Sequence, residues 1–242
     1  MDIVEALSAE SGMVCVVGAG GKKTTLYTLA RSVPKSVVTA TVRIPIFDEQ
    51  VADVVVTDDP VSALTETARW PLGLVPEQDR EDRYRGYDPS VVSAIQKSGT
   101  ARAIFVKADG ARTRWLKAPN DREPRIPATA DTVVPIASAK VVGKPLTDEF
   151  VHRPERVAAV AGLDTGDTIG AADVAAVLAS RDGGLKNVPS HATAIPLVNM
   201  VDDDELERVG REIATTVLER ADVPRVVLAR MNTDDPLVAV VD

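Results

Sequence analysis

The sequence predicts an α/β fold, a mostly parallel sheet with helices on both faces, formed as a single domain over residues 1–242. Three observations lead there. Short apolar runs of strand length alternate with longer stretches whose apolar residues recur at helical spacing. Val, Ala, Leu and Ile carry the apolar content: hydrophobic residues make up 45% of the chain and aromatics 3%, a balance that suits strands buried on both faces. A glycine-rich turn joins the first apolar run to the helical stretch after it, at the kind of place where an α/β sheet carries its ligand site.

Taken in order, Ile3, Val4 and Leu7 mark a helix within residues 2–10, ended by Gly12. Met13 to Val17 is the first buried strand, and Thr24 to Ser32 a helix that Pro34 stops. Ser36 to Thr41 and Ala52 to Val56 read as strands, and Pro60 to Thr67 as a helix. Residues 76–88 are charged and hold no apolar stripe, which predicts an exposed loop. Pro89 to Lys97 is a helix with proline near its start, and Ala103 to Val106 a strand. Residues 108–165 are expected to form a long irregular region, with little periodicity in 108–130. Within it Thr132 to Ala137 has a strand pattern that Pro135 demotes to an edge or a bulge. Gly170 to Ser180 is an alanine-rich helix and Ala194 to Val198 a strand. Asp203 to Ala221 is a long amphipathic helix on Leu206, Val209, Ile213, Val217 and Leu218. Pro224 to Ala229 and Leu237 to Val241 complete the strands.

Composition excludes several functions. A net charge of -8 argues against non-specific nucleic-acid binding. No apolar run approaches the ~18 residues of a membrane span, and the first residues lack the charged start and apolar stretch of a signal peptide. The lone Cys15 reads as a small buried hydrophobe and fits a reducing compartment. A cytoplasmic protein with no nucleic-acid and no membrane partner is therefore expected. No Cys/His spacing suits zinc, no Ser-His-Asp or Cys-His arrangement stands out, and His152 and His191 read as structural.

The chemistry-bearing segment is Gly18-Ala19-Gly20-Gly21-Lys22-Lys23-Thr24-Thr25, between the first strand and the helix after it. Glycines let the backbone approach an anion, and helix-start N–H groups point at it with the dipole in its favour. In this reading Gly18 to Gly21 cradle phosphates and Lys22 neutralises β/γ charge. Thr24 or Thr25 holds Mg²⁺. The fold is then a three-layer sandwich of the P-loop NTPase kind. The spacing is short of G-x-x-x-x-G-K-[ST], because Val16 stands where its first glycine would be and Lys23 follows Lys22. The dinucleotide pattern G-x-G-x-x-G fits less well still, since its third glycine falls on Lys23.

Three further strand ends are expected at the same edge of the sheet. Thr41, in Thr39-Ala40-Thr41-Val42-Arg43, offers a hydroxyl to metal or phosphate. Asp109, just past the strand ending at Val106, is a candidate Mg²⁺ residue, and Gly110 brings an amide near a γ-phosphate. Arg112, Arg114 and Lys117 cluster behind it, with Arg112 and Lys117 as candidate charge-stabilising residues. Asn199-Met200-Val201-Asp202 resembles the N-K-x-D segment that reads guanine, with Met200 in place of the lysine. Asp202 also reads as the N-cap of the long helix.

Together these segments resemble one family. GAGGKKTT at 18–25, VTATVRIP at 38–45, KADGARTRWLKAPNDREPRIP at 107–127, GKPL at 143–146, VHRPER at 151–156 and LVNMVDD at 197–203 are similar to the YqeC family of selenium-dependent hydroxylase accessory proteins. The likeness covers nearly the whole chain in order, and residues 108–127 are its most specific part. It implies an NTP-binding accessory factor in maturing a molybdenum hydroxylase of the xanthine dehydrogenase type. Lys23 stands where the family carries Thr or Ser, Ala40 interrupts a threonine run, and Lys107 stands where a glutamate tends to precede Ala-Asp-Gly. The reading is Mg²⁺-dependent binding of ATP or GTP with slow hydrolysis. Its alternatives are a small-molecule kinase and a non-catalytic chaperone for a molybdopterin-type cofactor or an apoenzyme. Lys23 and Lys107 lean towards the chaperone.

Overall fold

A computed structural model describes residues 1–242. The chain runs α1 (Ile3–Ala6), β1 (Gly12–Gly18), α2 (Lys22–Ser32), β2 (Ser36–Ala40), β3 (Ile44–Pro45), β4 (Asp53–Val56), α3 (Pro60–Glu66), β5 (Leu72–Val75), β6 (Gln78–Arg80), β7 (Arg83–Tyr84), α4 (Pro89–Lys97) and β8 (Ala103–Lys107). Then follow β9 (Leu116–Lys117), β10 (Thr132–Ser138), β11 (Val151–His152), α5 (Pro154–Ala161), α6 (Ala171–Ala179), β12 (Thr193–Ala194), β13 (Leu197–Asn199), α7 (Asp204–Arg220), β14 (Val226–Ala229) and β15 (Leu237–Val241). The main sheet has the order β15-β14-β13-β10-β1-β8-β2-β5-β4, with β12 beside β10. Every pairing in it is parallel except β14 with β15.

Period-two alternation along β1 builds the layers. Val14 and Val16 face a core that includes Leu26 and Leu29 of α2. Met13, Cys15 and Val17 face the opposite core, with Leu64 of α3 and Val92 and Ile95 of α4. A third core joins Val174 and Val177 of α6, and Ile213 and Val217 of α7, to Val198 and Leu228 of the sheet. The result is the expected three-layer α/β sandwich.

β1 lies between β8 and β10. The chain leaves β1 towards β2 on one side and leaves β10 towards β13 on the other, so the strand order reverses between β1 and β10. The crevice at the carboxyl ends of such a pair is where open α/β sheets bind ligands.

Several elements differ from the sequence reading. The expected irregular region 108–165 contains β9, β10, β11 and α5, and β10 is central rather than an edge. Pro135 is tolerated there because backbone groups alternate sides along a strand. Val133 O accepts from Ile195 N–H at 2.9 Å on the β12 side, and Ile136 O accepts from Ala19 N–H at 2.9 Å on the β1 side. The missing N–H of Pro135 therefore faces the break between β12 and β13, at Pro196. β5 carries a mid-strand glycine, Gly73, that hid it. A Cβ there would sit 2.7 Å from the Phe47 ring. The expected loop 76–88 holds the β6–β7 hairpin, extended by β3, and its charges pair off, as in Arg85–Glu77 at 2.5 Å.

Gly18 closes β1 with φ +87°, and a Cβ on it would run into the carbonyl oxygen of Ile136. Gly18→Ala should therefore lower stability by about 2–4 kcal/mol, read as a lower urea midpoint at unchanged slope.

Candidate functional site

The turn after β1 is held open by its neighbours. Gly18 N–H donates to Asp109 Oδ2 at 2.9 Å, and Ala19 and Gly20 N–H donate to the carbonyls of Ile136 and Arg114 at 2.9 Å each. The amide of Asn199 reaches across from β13: its Nδ2 donates to Gly20 O at 2.8 Å and its Oδ1 accepts from Met231 N–H at 3.1 Å. Gly21 is the N-cap of α2 at φ 122°, with no side-chain cap. The backbone N–H groups of Gly21, Lys22, Lys23 and Thr24 donate to no atom of the chain, while Thr25 N–H already bonds Gly21 O at 3.0 Å. Four unpaired donors at a helix start have the geometry that can accept an anion. The donors left unpaired are thus those of Gly21–Thr24, whereas Gly18, Ala19 and Gly20 of the expected Gly18–Gly21 cradle have theirs taken within the chain.

Beneath it runs an alternating chain of charge. Lys22 Nζ lies 3.0 Å from Asp109 Oδ1 and also donates to Gly18 O. Lys117 Nζ lies 2.9 Å from Asp109 Oδ2 and 2.9 Å from Glu123 Oε2, and donates to Gly110 O at 2.6 Å. Arg153 Nη1 lies 2.9 Å from the same Glu123 oxygen. Burial works to raise the Asp109 pKa, but Lys22, Lys117 and the Gly18 amide outweigh it and hold the carboxyl below its usual range. Glu123 is lowered against its own burial by Lys117 and Arg153. Burial lowers Lys22, against the pull of Asp109. The contact between Lys22 and Asp109 is an ion pair without hydrogen-bond geometry, since Asp109 Oδ1 has no hydrogen-bond donor.

Lys107 ends β8 with its Nζ 2.8 Å from the carbonyls of Arg43 and Asp109. It touches no carboxylate. Burial and the nearby Lys22 and Lys117 bring it down to about 7. These groups border a cavity of about 780 Å³, within the ~300–1,000 Å³ of small-molecule sites. Seven cations line it, Lys22, Lys23, Arg43, Arg83, Lys107, Arg112 and Arg114, against one carboxylate, Glu123. Arg43 and Arg83 are paired with Asp79 and Asp82. Lys23, Arg112 and Arg114 make no ion pair and are free to meet an anion. Arg112 and Thr113 both adopt left-handed backbone, φ +47° and +61°, conformations that non-glycine residues hold only under constraint. The tight turn they form sets the Arg114 carbonyl on Gly20.

The structure brings together most of the expected site. Gly20, Gly21, Lys22, Lys23, Thr24, Gly110 and Arg112 all line the cavity. Gly18 and Ala19 shape the turn from behind, and Thr25 Oγ1 is spent on Gly21 O at 3.2 Å. Lys117 lies behind the wall as a partner of Asp109. Asn199 clamps the turn instead of reaching towards a base. Asp202 is outside the cavity, 2.5 Å from Lys140, and the N-cap of α7 is Asp203, which accepts from Leu206 N–H at 2.8 Å. Three charged cavity residues, Arg83, Lys107 and Glu123, were not singled out as site residues. Glu123 was detectable as an acid within the basic run 107–127.

Two of the residues expected to hold magnesium, Thr41 and Asp109, do not fit that role. Thr41 is buried, and its hydroxyl donates to Arg125 O at 2.6 Å. Asp109 is 1% exposed, does not line the cavity and is ion-paired with two lysines. No group of three His, Cys, Asp or Glu is placed to hold a metal. Of the three expected metal residues, only Thr24 lines the cavity.

Two outcomes follow. Asp109→Ala leaves the buried Lys22 ammonium unpaired and Lys117 with Glu123 alone, and should cost about 3–5 kcal/mol, measured by chemical denaturation. Lys107 has a folded-state pKa below its unfolded one. Between about 7 and 10.5 the unfolded chain therefore binds the extra proton, and stability rises with pH at up to about 1.4 kcal/mol per unit. Lys107→Met should flatten that slope in denaturation curves taken from pH 7 to 9.5.

Comparison with known proteins agrees with the resemblance seen in the sequence. The chain is similar to the uncharacterized protein YqeC of Escherichia coli strain K12, at 27% identity over 192 residues, which cover 77% of this chain and 75% of that protein. No solved structure matches. The family model described as YqeC protein matches residues 14–155, more than half of the chain, from β1 through the turn, the Lys107–Pro127 segment and the start of α5. The chain belongs to the YqeC protein family.

Proposed function

We propose that the protein binds a nucleoside triphosphate, ATP or GTP, with its phosphates on the helix-start amides of Gly21 to Thr24. One observation carries this reading: four unpaired backbone donors and three unpaired cations, Lys23, Arg112 and Arg114, converge on one cavity in a chain whose net charge is -8. A triphosphate matches that charge in size and sign. Lys22 stands at the turn with its ammonium within reach of a phosphate bound there. Magnesium would enter with the nucleotide, beside Thr24, and no step is assigned to it. An accessory role in maturing a molybdenum hydroxylase is part of the same proposal, and the resemblance read in the sequence is its support.

Binding without turnover is favoured over hydrolysis and over phosphoryl transfer to a small molecule. Glu123 is the one carboxylate on the cavity. Its Oε1 accepts from Gly110 N–H at 3.2 Å and its Oε2 meets Lys117 and Arg153. Held ionised by those cations, it is a poor general base. A nucleotide-bound state that holds or releases a phosphate-bearing molybdopterin-type cofactor or an apoenzyme fits this chemistry better.

The test is calorimetric titration with ATP and GTP, with magnesium and with EDTA. Intact protein should bind in both conditions, with affinities within about tenfold. Lys22→Met should weaken binding roughly tenfold to several-hundredfold, and a thermal melt should confirm that the variant is folded. If neither nucleotide binds the intact protein, the reading fails.

A further inference from the structure

We propose that the site recognises its nucleotide by the phosphate chain and the bulk of the base, without reading which base it is. The proposal rests on the nucleotide reading above. It is carried by the fate of the Asn199-Met200-Val201-Asp202 segment at the end of β13. Both ends of the Asn199 amide are committed, to Gly20 O and Met231 N–H. Asp202, whose carboxylate would have to accept ring N–H groups to read guanine, is paired with Lys140 outside the cavity. Between them Met200 takes a left-handed backbone at φ +60°. That turn brings Met200 to the cavity wall, with Sδ 3.1 Å from Ser138 Oγ.

The remaining polar side chains of the wall are committed elsewhere. Thr113 Oγ1 donates to Arg112 O at 2.6 Å, and Arg43 and Arg83 pair with Asp79 and Asp82. Lys22 donates to Gly18 O, and Lys107 to the carbonyls of Arg43 and Asp109. In the proposed binding mode Lys23, Thr24, Arg112 and Arg114 stand at the phosphates. Glu123, its one carboxylate, has both oxygens occupied. Val42, Pro45, Ala111 and Met200 offer surface without donors or acceptors in their side chains. A thioether packs against any flat ring by dispersion. A site built on hydrogen bonds to a substrate rejects an analogue lacking them by about 10⁴–10⁵. A site built on contact area separates similar rings by only a few fold.

Calorimetric titration of the full chain with ATP, GTP, CTP, UTP and inorganic tripolyphosphate tests this. The four nucleotides should bind within about fivefold of one another, and tripolyphosphate roughly tenfold more weakly. Met200→Ala should weaken the nucleotides about three- to tenfold and leave tripolyphosphate unchanged, while Met200→Leu, of similar volume, keeps the original affinities. Preference for one base beyond about thirtyfold overturns the proposal and leaves nucleotide binding standing. Equal weakening of tripolyphosphate by Met200→Ala also overturns it, since Met200 would then act on the turn itself. If none of the five binds, the nucleotide reading falls and this proposal falls with it.

Discussion

A carboxylate buried between two ammonium groups organises this molecule. Asp109 holds Lys22 on one side and Lys117 on the other, and accepts the Gly18 amide. A buried ion is tolerable only when paired and hydrogen-bonded, so each of these groups needs the others in place. Through them β1, the start of α2, the end of β8 and β9 are fixed relative to one another. Glu123 and Arg153 extend the chain of charge to the N-terminus of α5. The turn after β1 is therefore held by the electrostatics under it as well as by its glycines.

The same arrangement separates two tasks that one residue was expected to perform. An aspartate after a strand beside a phosphate-binding turn reads as a metal residue, and in this chain it is a structural counter-ion. Lys107 deepens the contrast, since it adds a third buried lysine beside that aspartate. The cavity is left rich in donors and poor in acceptors. In an acidic protein such a concave cationic patch concentrates field lines and draws small polyanions.

The fold was largely legible from periodicity. β1, β8, β14 and α7 have long or purely apolar patterns, and tertiary context did not override them. β5 was lost because Gly73 interrupts a four-residue strand, a gap required by the Phe47 ring packed on it. The place of β10 was misjudged because Pro135 looks like an edge signal, and only the facing break at Pro196 makes it admissible in the centre. At the site, the turn and its residues were readable from spacing. The partnerships of Asn199, Asp202 and Thr41 were not, because each depends on an acceptor, donor or counter-ion far away in sequence, such as Gly20, Lys140 and Arg125.

The clamp by Asn199 has a consequence for how the protein comes into being. The hydrogen bond from its side chain to Gly20 joins residues 179 apart, and β1 finds its two sheet neighbours at residues 103–107 and 132–138. During synthesis the turn after β1 precedes both strands that flank β1 and the asparagine that clamps it, and it cannot be finished until they have followed. Contacts of such long range slow folding. Until β13 docks, the glycines of the turn remain flexible and its donors face water. The turn is thus translated before the elements that shape it and takes its final form only after them.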